Sequence, residues 1–428
     1  MVHGYYSQDI STASASLDAI SYQRYLTLAD EALASLKAHY IAKEIKLLDL
    51  ALKTSDLEEI EPIAERFCES FDDVIILGVG GSSLGGRTIC ELAAPAGTSR
   101  PTLHFMDNID SNSFDRLFLS VTPARTGFIV ISKSGGTAET LTQFLYCLDI
   151  FRPHLDNTKL ADHFVVITEP GDRPLRRLAE KWNLDIIDHD PDVGGRYSAL
   201  SIVGLLPALI SGVDAYQVRD GAAVVLQQMM SASTAKDCPP AVGAVLNVAL
   251  ARENNINSTV LMPYLDRLAR FGDWFRQLWA ESLGKNGEGS TPIWALGAVD
   301  QHSQLQLFLH GPKDKFFTLI LADQEKKGRC IPEDLTDDPE LKFIFGKSMG
   351  DLMVAEQQAT AATLIKNNCP TRIIRIKTLD EQTLGALMMH FMLETIIAAD
   401  LMRVNAFDQP AVEEGKVLAK KYLSGEAN

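Results

Sequence analysis

The sequence lacks the marks of several protein classes. Its six cysteines, Cys68, Cys90, Cys147, Cys238, Cys330 and Cys369, are scattered over 428 residues with no C-x-x-C pair. That pattern argues against a zinc ribbon or a disulfide framework, and it fits reduced thiols in a cytosol. No apolar run reaches the ~18 residues expected of a membrane span. The start, MVHGYYSQDISTASAS, has no basic region followed by an apolar stretch. No secretory signal is read there, and a cytoplasmic location is expected. No H-x-x-x-H or clustered Cys/His pattern points to a metal site. Positive charge is also scarce: 40 Lys and Arg stand against 56 Asp and Glu, a formal net charge of −16. Nucleic acid, which needs a basic face, is disfavoured as a partner. An anionic ligand would need local cations at its site to offset the repulsive overall field.

What is present is ordinary for a soluble globular enzyme, with 46% hydrophobic and 22% charged residues. A chain of this length predicts two domains. Residues 1–70 read as helices, with Leu26, Ala29, Leu33, Leu36 and Tyr40 stepping by three or four. Strand-like and helical patterns then alternate. The strands are Val74–Leu77, Leu103–Met106, Phe128–Ile131, Phe164–Ile167 and Ile186–Ile187. A second series follows, at Thr259–Met262, Ile293–Leu296, Phe317–Leu321 and Ile373–Ile376. The alternation predicts an α/β fold of two three-layer sandwiches with mainly parallel sheets, plus helical segments at both ends. A bland link around Ser211–Lys236 marks the domain change. The expected units are a helical segment over 1–70, sandwiches over 71–215 and 216–403, and a C-terminal helical arm over 404–428. A long apolar helix is expected at about Glu381–Met402.

Two stretches stand out, Val74–Gly86 (VIILGVGGSSLGG) and Gly127–Thr140 (GFIVISKSGGTAET). Each is an apolar run that ends in Gly, Ser and Thr and then opens a helix. Glycines let the backbone approach an anion, hydroxyls donate, and a helix N-terminus adds the positive end of its dipole. The first stretch is not a dinucleotide fingerprint, since Gly78 and Gly80 lead to Ser83 where the third glycine belongs. It is a near miss for a Walker A loop, with Arg87 in the lysine position. Paired loops at neighbouring strand ends predict one phosphate held by both. The donors are Ser82, Ser132, Ser134 and Thr137 with the backbone of Gly81 and Lys133, and the ligand class is a phosphorylated small molecule.

Four further residues carry possible chemistry, each with a plainer alternative. Glu281 borders the apolar stripe of a helix over Leu265–Lys285, at i, i+4 spacing from Gln277 and Lys285. It reads as a general base or as half of a surface Glu281–Lys285 pair. Arg196, in Gly194-Gly195-Arg196-Tyr197-Ser198, holds a developing oxyanion or a structural salt bridge. His302, at the end of Ile293–Leu296, shuttles protons or simply makes a hydrogen bond. Lys416 follows Gly415 in a short helix opened by Gln409-Pro410, where it is also readable as part of a solvated face.

Together the segments resemble the glucose-6-phosphate isomerase family. The matching stretches are GVGGSSLGG, SKSGGTAET, DVGGRYSALSIVGLLP, LARFGDWFRQLWAESLGK, DQHSQLQLFLHG and FDQPAVEEGK, in the family's order from about Gly78 to Lys416. Any one of them is weak, whereas the ordered set is highly specific. Gly135-Gly136 and the short chain depart from longer relatives and look like the compact bacterial type. The resemblance implies two sugar-isomerase (SIS) domains and a homodimer with shared active sites. It implies Glu281 as catalytic base, Arg196 beside the enediolate, His302 in ring opening and Lys416 as the C-terminal active-site lysine. Gly81, Ser82, Ser132, Lys133, Ser134 and Thr137 would bind phosphate, and Gln409 would contact the sugar phosphate. The implied reaction is reversible aldose–ketose isomerisation of glucose 6-phosphate and fructose 6-phosphate, with no metal or redox cofactor and no membrane or nucleic-acid partner. Two other readings compete: a sugar-phosphate-sensing SIS protein that does no chemistry, and a P-loop-like sugar kinase.

Overall fold

A computed structural model describes residues 4–93, 100–155 and 160–426. Among these residues ten strands lie in two sheets: β1 (Tyr6–Asp9), β2 (Asp73–Leu77), β3 (Thr102–Met106), β4 (Thr126–Ile131), β5 (Phe164–Thr168), β6 (Asp185–Asp188), β7 (Ser258–Pro263), β8 (Thr291–Trp294), β9 (Lys315–Ala322) and β10 (Thr371–Ile376). The first sheet has the order β3-β2-β4-β5-β6, all parallel. β4 and β5 are buried along their whole length, as continuous apolar runs covered on both faces should be. The chain leaves β2 toward β3 and leaves β4 toward β5. The topological switch point of this sheet therefore lies between the carboxyl ends of β2 and β4, where open α/β sheets bind ligands.

The second sheet has the order β1-β10-β9-β7-β8, parallel except for β1. The α/β class with two mainly parallel sheets and helical ends is as the sequence predicts. One local expectation is corrected. The N-terminal stretch, expected to be all helical, opens with the antiparallel edge strand β1, in which Tyr6 is the single buried residue. Four residues with one core contact are too few to show a period of two. The bland stretch at Ser211–Lys236 is mostly a helix, Ala215–Ser231.

That helix packs against Glu381–Met402, which also touches helices Ala19–Ile41, Pro239–Asn254 and Ala269–Leu283. A Cβ on Gly221 would collide with the Gln382 carbonyl, and one on Gly385 with the Val218 carbonyl, so glycine sets this close approach. Glu381–Met402 is long and apolar enough to cross a membrane, but 94% of its apolar window is buried inside the protein, as befits a core helix. Its buried ionisable residues, His390 and Glu394, are paired. Glu394 accepts from Arg372 Nη1 (2.7 Å), Asn247 Nδ2 (3.0 Å) and His390 Nε2 (3.0 Å), and the Tyr6 hydroxyl meets His390 Nδ1 at 2.6 Å. A neutral His390 protonated on Nε2 satisfies every partner, with Tyr6 as donor. Burial would raise the Glu394 carboxyl, but Arg372 and His390 outweigh it and hold it below its usual range. This network ties β1 to the core helix and to β10.

Candidate active site

The two glycine-rich loops are neighbours because β2 and β4 pair in register, Leu77 opposite Val130. A Cβ on Gly78 would lie 3.1 Å from the Ile131 carbonyl oxygen, so the chain crosses closely where both loops begin. In the second loop, Gly135 takes φ +62°, a left-handed conformation that glycine adopts without strain. Ser132, buried, donates to Thr137 Oγ1 at 3.1 Å, and Gly136 N donates to Ser134 Oγ at 3.3 Å. The Thr137 hydroxyl hydrogen is thereby left for a ligand, at the N-cap of helix Ala138–Phe151. No carboxylate among the described residues pairs with Lys133.

The first loop is fastened to the segment that carries Arg196. Gly81 has no room for a side chain, because a Cβ there would sit on the Gly195 carbonyl. Ser198 Oγ donates to the Gly81 carbonyl at 3.2 Å. Gly195–Leu200 forms a 3₁₀ turn that buries the Arg196 side chain to 2% exposure. A buried guanidinium must have its donors satisfied, and here all five N–H groups are used. Nε donates to Ser282 Oγ (2.8 Å). Nη1 donates to Gln409 Oε1 (2.8 Å) and Glu281 Oε2 (3.3 Å), and Nη2 to the carbonyls of Ala406 (2.6 Å) and Asp408 (3.0 Å).

Glu281 lies in the last turn of helix Ala269–Leu283, whose apolar stripe of Phe271, Phe275, Leu278 and Ser282 is buried. Its two oxygens take different partners: Arg196 on Oε2, and Gln277 Nε2 on Oε1 at 3.0 Å. The same Gln277 nitrogen lies 2.9 Å from where a Gly80 Cβ would be, and Gln277 Oε1 is buried with no hydrogen-bond partner among the described residues. Gln277 therefore joins Glu281 to the first loop. Tyr197 closes the floor, its hydroxyl 3.0 Å from Ser282 Oγ, and burial pushes it up to about 12 despite that bond.

The structure thus brings Gly81, Ser82, Arg196, Glu281 and Gln409 together, beside Ser132, Lys133, Ser134 and Thr137. It leaves His302 and Lys416 outside. His302 is exposed at the end of the turn Val299–His302, and Lys416 is 61% exposed and paired with Glu413 at 2.7 Å. Neither touches the cluster among the described residues. The surface Glu281–Lys285 pair does not form, since Lys285 reaches Asp408 at 3.1 Å instead. Arg87, the residue in the Walker position, is held by Asp107 at 3.0 Å. Sequence reasoning does not find Ser282, Tyr197 or the carbonyls of Ala406 and Asp408. Ser282 sits next to Glu281 on the inner stripe, which is its one visible signal.

Fold and geometry define a class: a two-sheet α/β protein with a double hydroxyl-rich loop at a switch point and a carboxylate–guanidinium pair beside it. The phosphoglucose isomerase family model matches residues 64–427. A glucose-6-phosphate isomerase of Rubrobacter xylanophilus is 36% identical over 367 residues, 84% of each chain. One from Carboxydothermus hydrogenoformans is 34% identical over 413 residues, 92% of this chain and 88% of the relative. The solved structure of a hypothetical protein from Thermus thermophilus superposes with a TM-score of 0.87 at 31% identity, covering 98% of this chain and 99% of its own. A glucose-6-phosphate isomerase structure from Chlamydia trachomatis shares the fold, with a TM-score of 0.83 at 20% identity over 99% of this chain and 89% of its own. The chain belongs to the phosphoglucose isomerase family.

Proposed function

We propose that the chain interconverts glucose 6-phosphate and fructose 6-phosphate, the reaction for which its relatives are named, with the residues above in defined roles. The observation that carries this reading is Glu281, held between Arg196 and Gln277, with Gln277 against the first glycine-rich loop. A sugar phosphate anchored at one end by Ser82, Ser132, Ser134, Thr137 and Lys133 presents its carbonyl end to the carboxylate. Fixing the far end in this way supplies orientation at the reacting carbons. Glu281 takes the proton from C2 and returns it to C1, or the reverse. The charge that develops on the enediolate oxygens falls beside Arg196. All five Arg196 donors are already engaged, so substrate takes its place by displacing the longest of those bonds, the one to Glu281. Lys133 and Arg196 supply the local positive charge that a chain of net charge −16 needs for an anionic substrate.

Ring opening, which moves a proton from the anomeric hydroxyl to the ring oxygen, falls to His302 and Lys416. Their exposure in a single chain supports a homodimer with shared sites. The arm that carries Lys416, Glu413–Ser424, leaves Val417, Leu418, Tyr422 and Leu423 exposed, and an apolar face of this kind suits a partner subunit. All six cysteines are free, which agrees with work in a reducing cytoplasm. A kinase reading gains no support, since Arg87 is committed to Asp107.

The test uses two inactivating variants. Glu281→Gln should stop turnover while still binding glucose 6-phosphate, as judged by calorimetry. Full turnover in this variant would remove Glu281 as base. Mixing Glu281→Gln with His302→Asn subunits, unfolded and refolded together, should restore about a quarter of parental activity, because half the dimers then hold one intact site. No recovery would mean that the sites are not shared.

A further inference from the structure

Lys285 is absent from the roles assigned above, yet its ammonium is nearly buried beside the site and bonded to two elements of it. Its ammonium donates to the Ser282 carbonyl at 2.9 Å and to the Asn405 carbonyl, and it pairs with Asp408 Oδ1 at 3.1 Å. The first bond caps the last turn of the helix that bears Glu281, where a cation also meets the negative end of the dipole. The other two fasten the stretch Asn405–Gln409. Arg196 holds the same stretch as well, at the carbonyls of Ala406 and Asp408 and the Gln409 amide. Five consecutive residues are thus held by two cations that repel each other. Immediately after them the chain enters Pro410–Val412 and the exposed arm with Lys416.

The geometry points to Lys285 as a positioning residue for the isomerisation: it fixes the Asn405–Gln409 strap to the end of the Glu281 helix, and so sets both Gln409 against Arg196 and the point from which the arm departs. This rests on Glu281 and Arg196 acting as proposed above. The side chain is 10% exposed, and burial lowers its pKa, an effect that Asp408 opposes and Arg196 reinforces. Three oxygens surround its nitrogen, two of them carbonyls and one a carboxylate. With Lys285 removed, Arg196 would keep its charge, but its acceptors Ala406, Asp408 and Gln409 would lose their second anchor.

The experiment compares Lys285→Met, Lys285→Arg and Glu281→Gln in the fructose 6-phosphate to glucose 6-phosphate assay, with inorganic phosphate as a competitive inhibitor. In Lys285→Met, kcat should fall about ten- to a hundred-fold, the cost of a small misplacement at a reacting centre. The inhibition constant for phosphate should stay within about twofold, since the glycine-rich loops are untouched. Lys285→Arg should recover most of the lost kcat. A purely structural lysine would lower the melting temperature but leave kcat of the folded enzyme unchanged, and that result overturns the proposal. A parallel rise in the phosphate inhibition constant overturns it as well, because the effect would then be global. Should Lys285→Met fail to fold, Asp408→Asn carries the test. It removes one half-exposed pair and should lower kcat about two- to fivefold, with unchanged kcat counting against the strap. If Glu281→Gln retains turnover, the failure lies with the base assignment and not with Lys285.

Discussion

Replacing Arg196 with lysine separates charge from geometry at this site. The guanidinium makes five hydrogen bonds from three nitrogens, to Ser282, Glu281, Gln409, Ala406 and Asp408, at 2.6–3.3 Å. An ammonium offers three donors from one atom. At least two of the five acceptors must therefore lose their bond to this side chain, and the Ser282 hydroxyl and the Ala406 carbonyl, both of buried residues, would keep only the Tyr197 hydroxyl beside them. Each hydrogen bond to a charged donor contributes about 1.5–3 kcal/mol, so the two together set a loss of about 3 kcal/mol or more in the contacts that fix this residue among the Glu281 helix and the Asn405–Gln409 strap. The charge survives, but it no longer lies in a plane against the enediolate. Losing one preorganised donor at an oxyanion typically lowers kcat about 10²–10³-fold. Arg196→Lys should show that loss in a coupled assay of fructose 6-phosphate turnover, together with a lower urea midpoint. Turnover within about fivefold of the parent, at unchanged stability, would show that a point charge suffices and that the five-bond fork has no catalytic consequence.

Two further perturbations reach other parts of the argument. Gly81→Ala places a methyl group on the Gly195 carbonyl, so the first loop and the Arg196 turn must separate. Inorganic phosphate should then inhibit at least about tenfold more weakly, while the first sheet keeps its far-ultraviolet circular dichroism, and an unchanged inhibition constant would contradict the shared-loop geometry. Glu394→Ala leaves Arg372 buried at 1% exposure without its counter-charge, and should cost about 3–5 kcal/mol in urea unfolding. A loss below about 1 kcal/mol would mean that water or a neighbour replaces the carboxylate.

Much of this molecule is legible in the sequence, and the division between what is and what is not follows from the range of the interactions. The glycine-rich loops are local. Apolar run, turn residues and helix start lie within about fifteen positions, and periodicity senses that scale. Strands β2, β4 and β5 are visible for the same reason, since each is a continuous apolar run buried on both faces. Glu281 is ambiguous in the sequence because spacing along a helix says which side chains share a face, not what stands opposite. Lys285 is its apparent partner at i+4, yet Lys285 turns to Asp408, and Glu281 is taken up by Arg196, 85 positions away. Gln409 reaches the same guanidinium from 213 positions away. Arg196 reads as either a salt-bridge residue or an oxyanion holder, and its five partners combine the two: the bonds that bury the charge are also those that aim it. His302 and Lys416 stand exposed, apart from the cluster of their own chain. Their exposure is a defect in a monomeric site and the expected state of residues that complete a neighbour's, and recovery of activity on subunit mixing distinguishes the two.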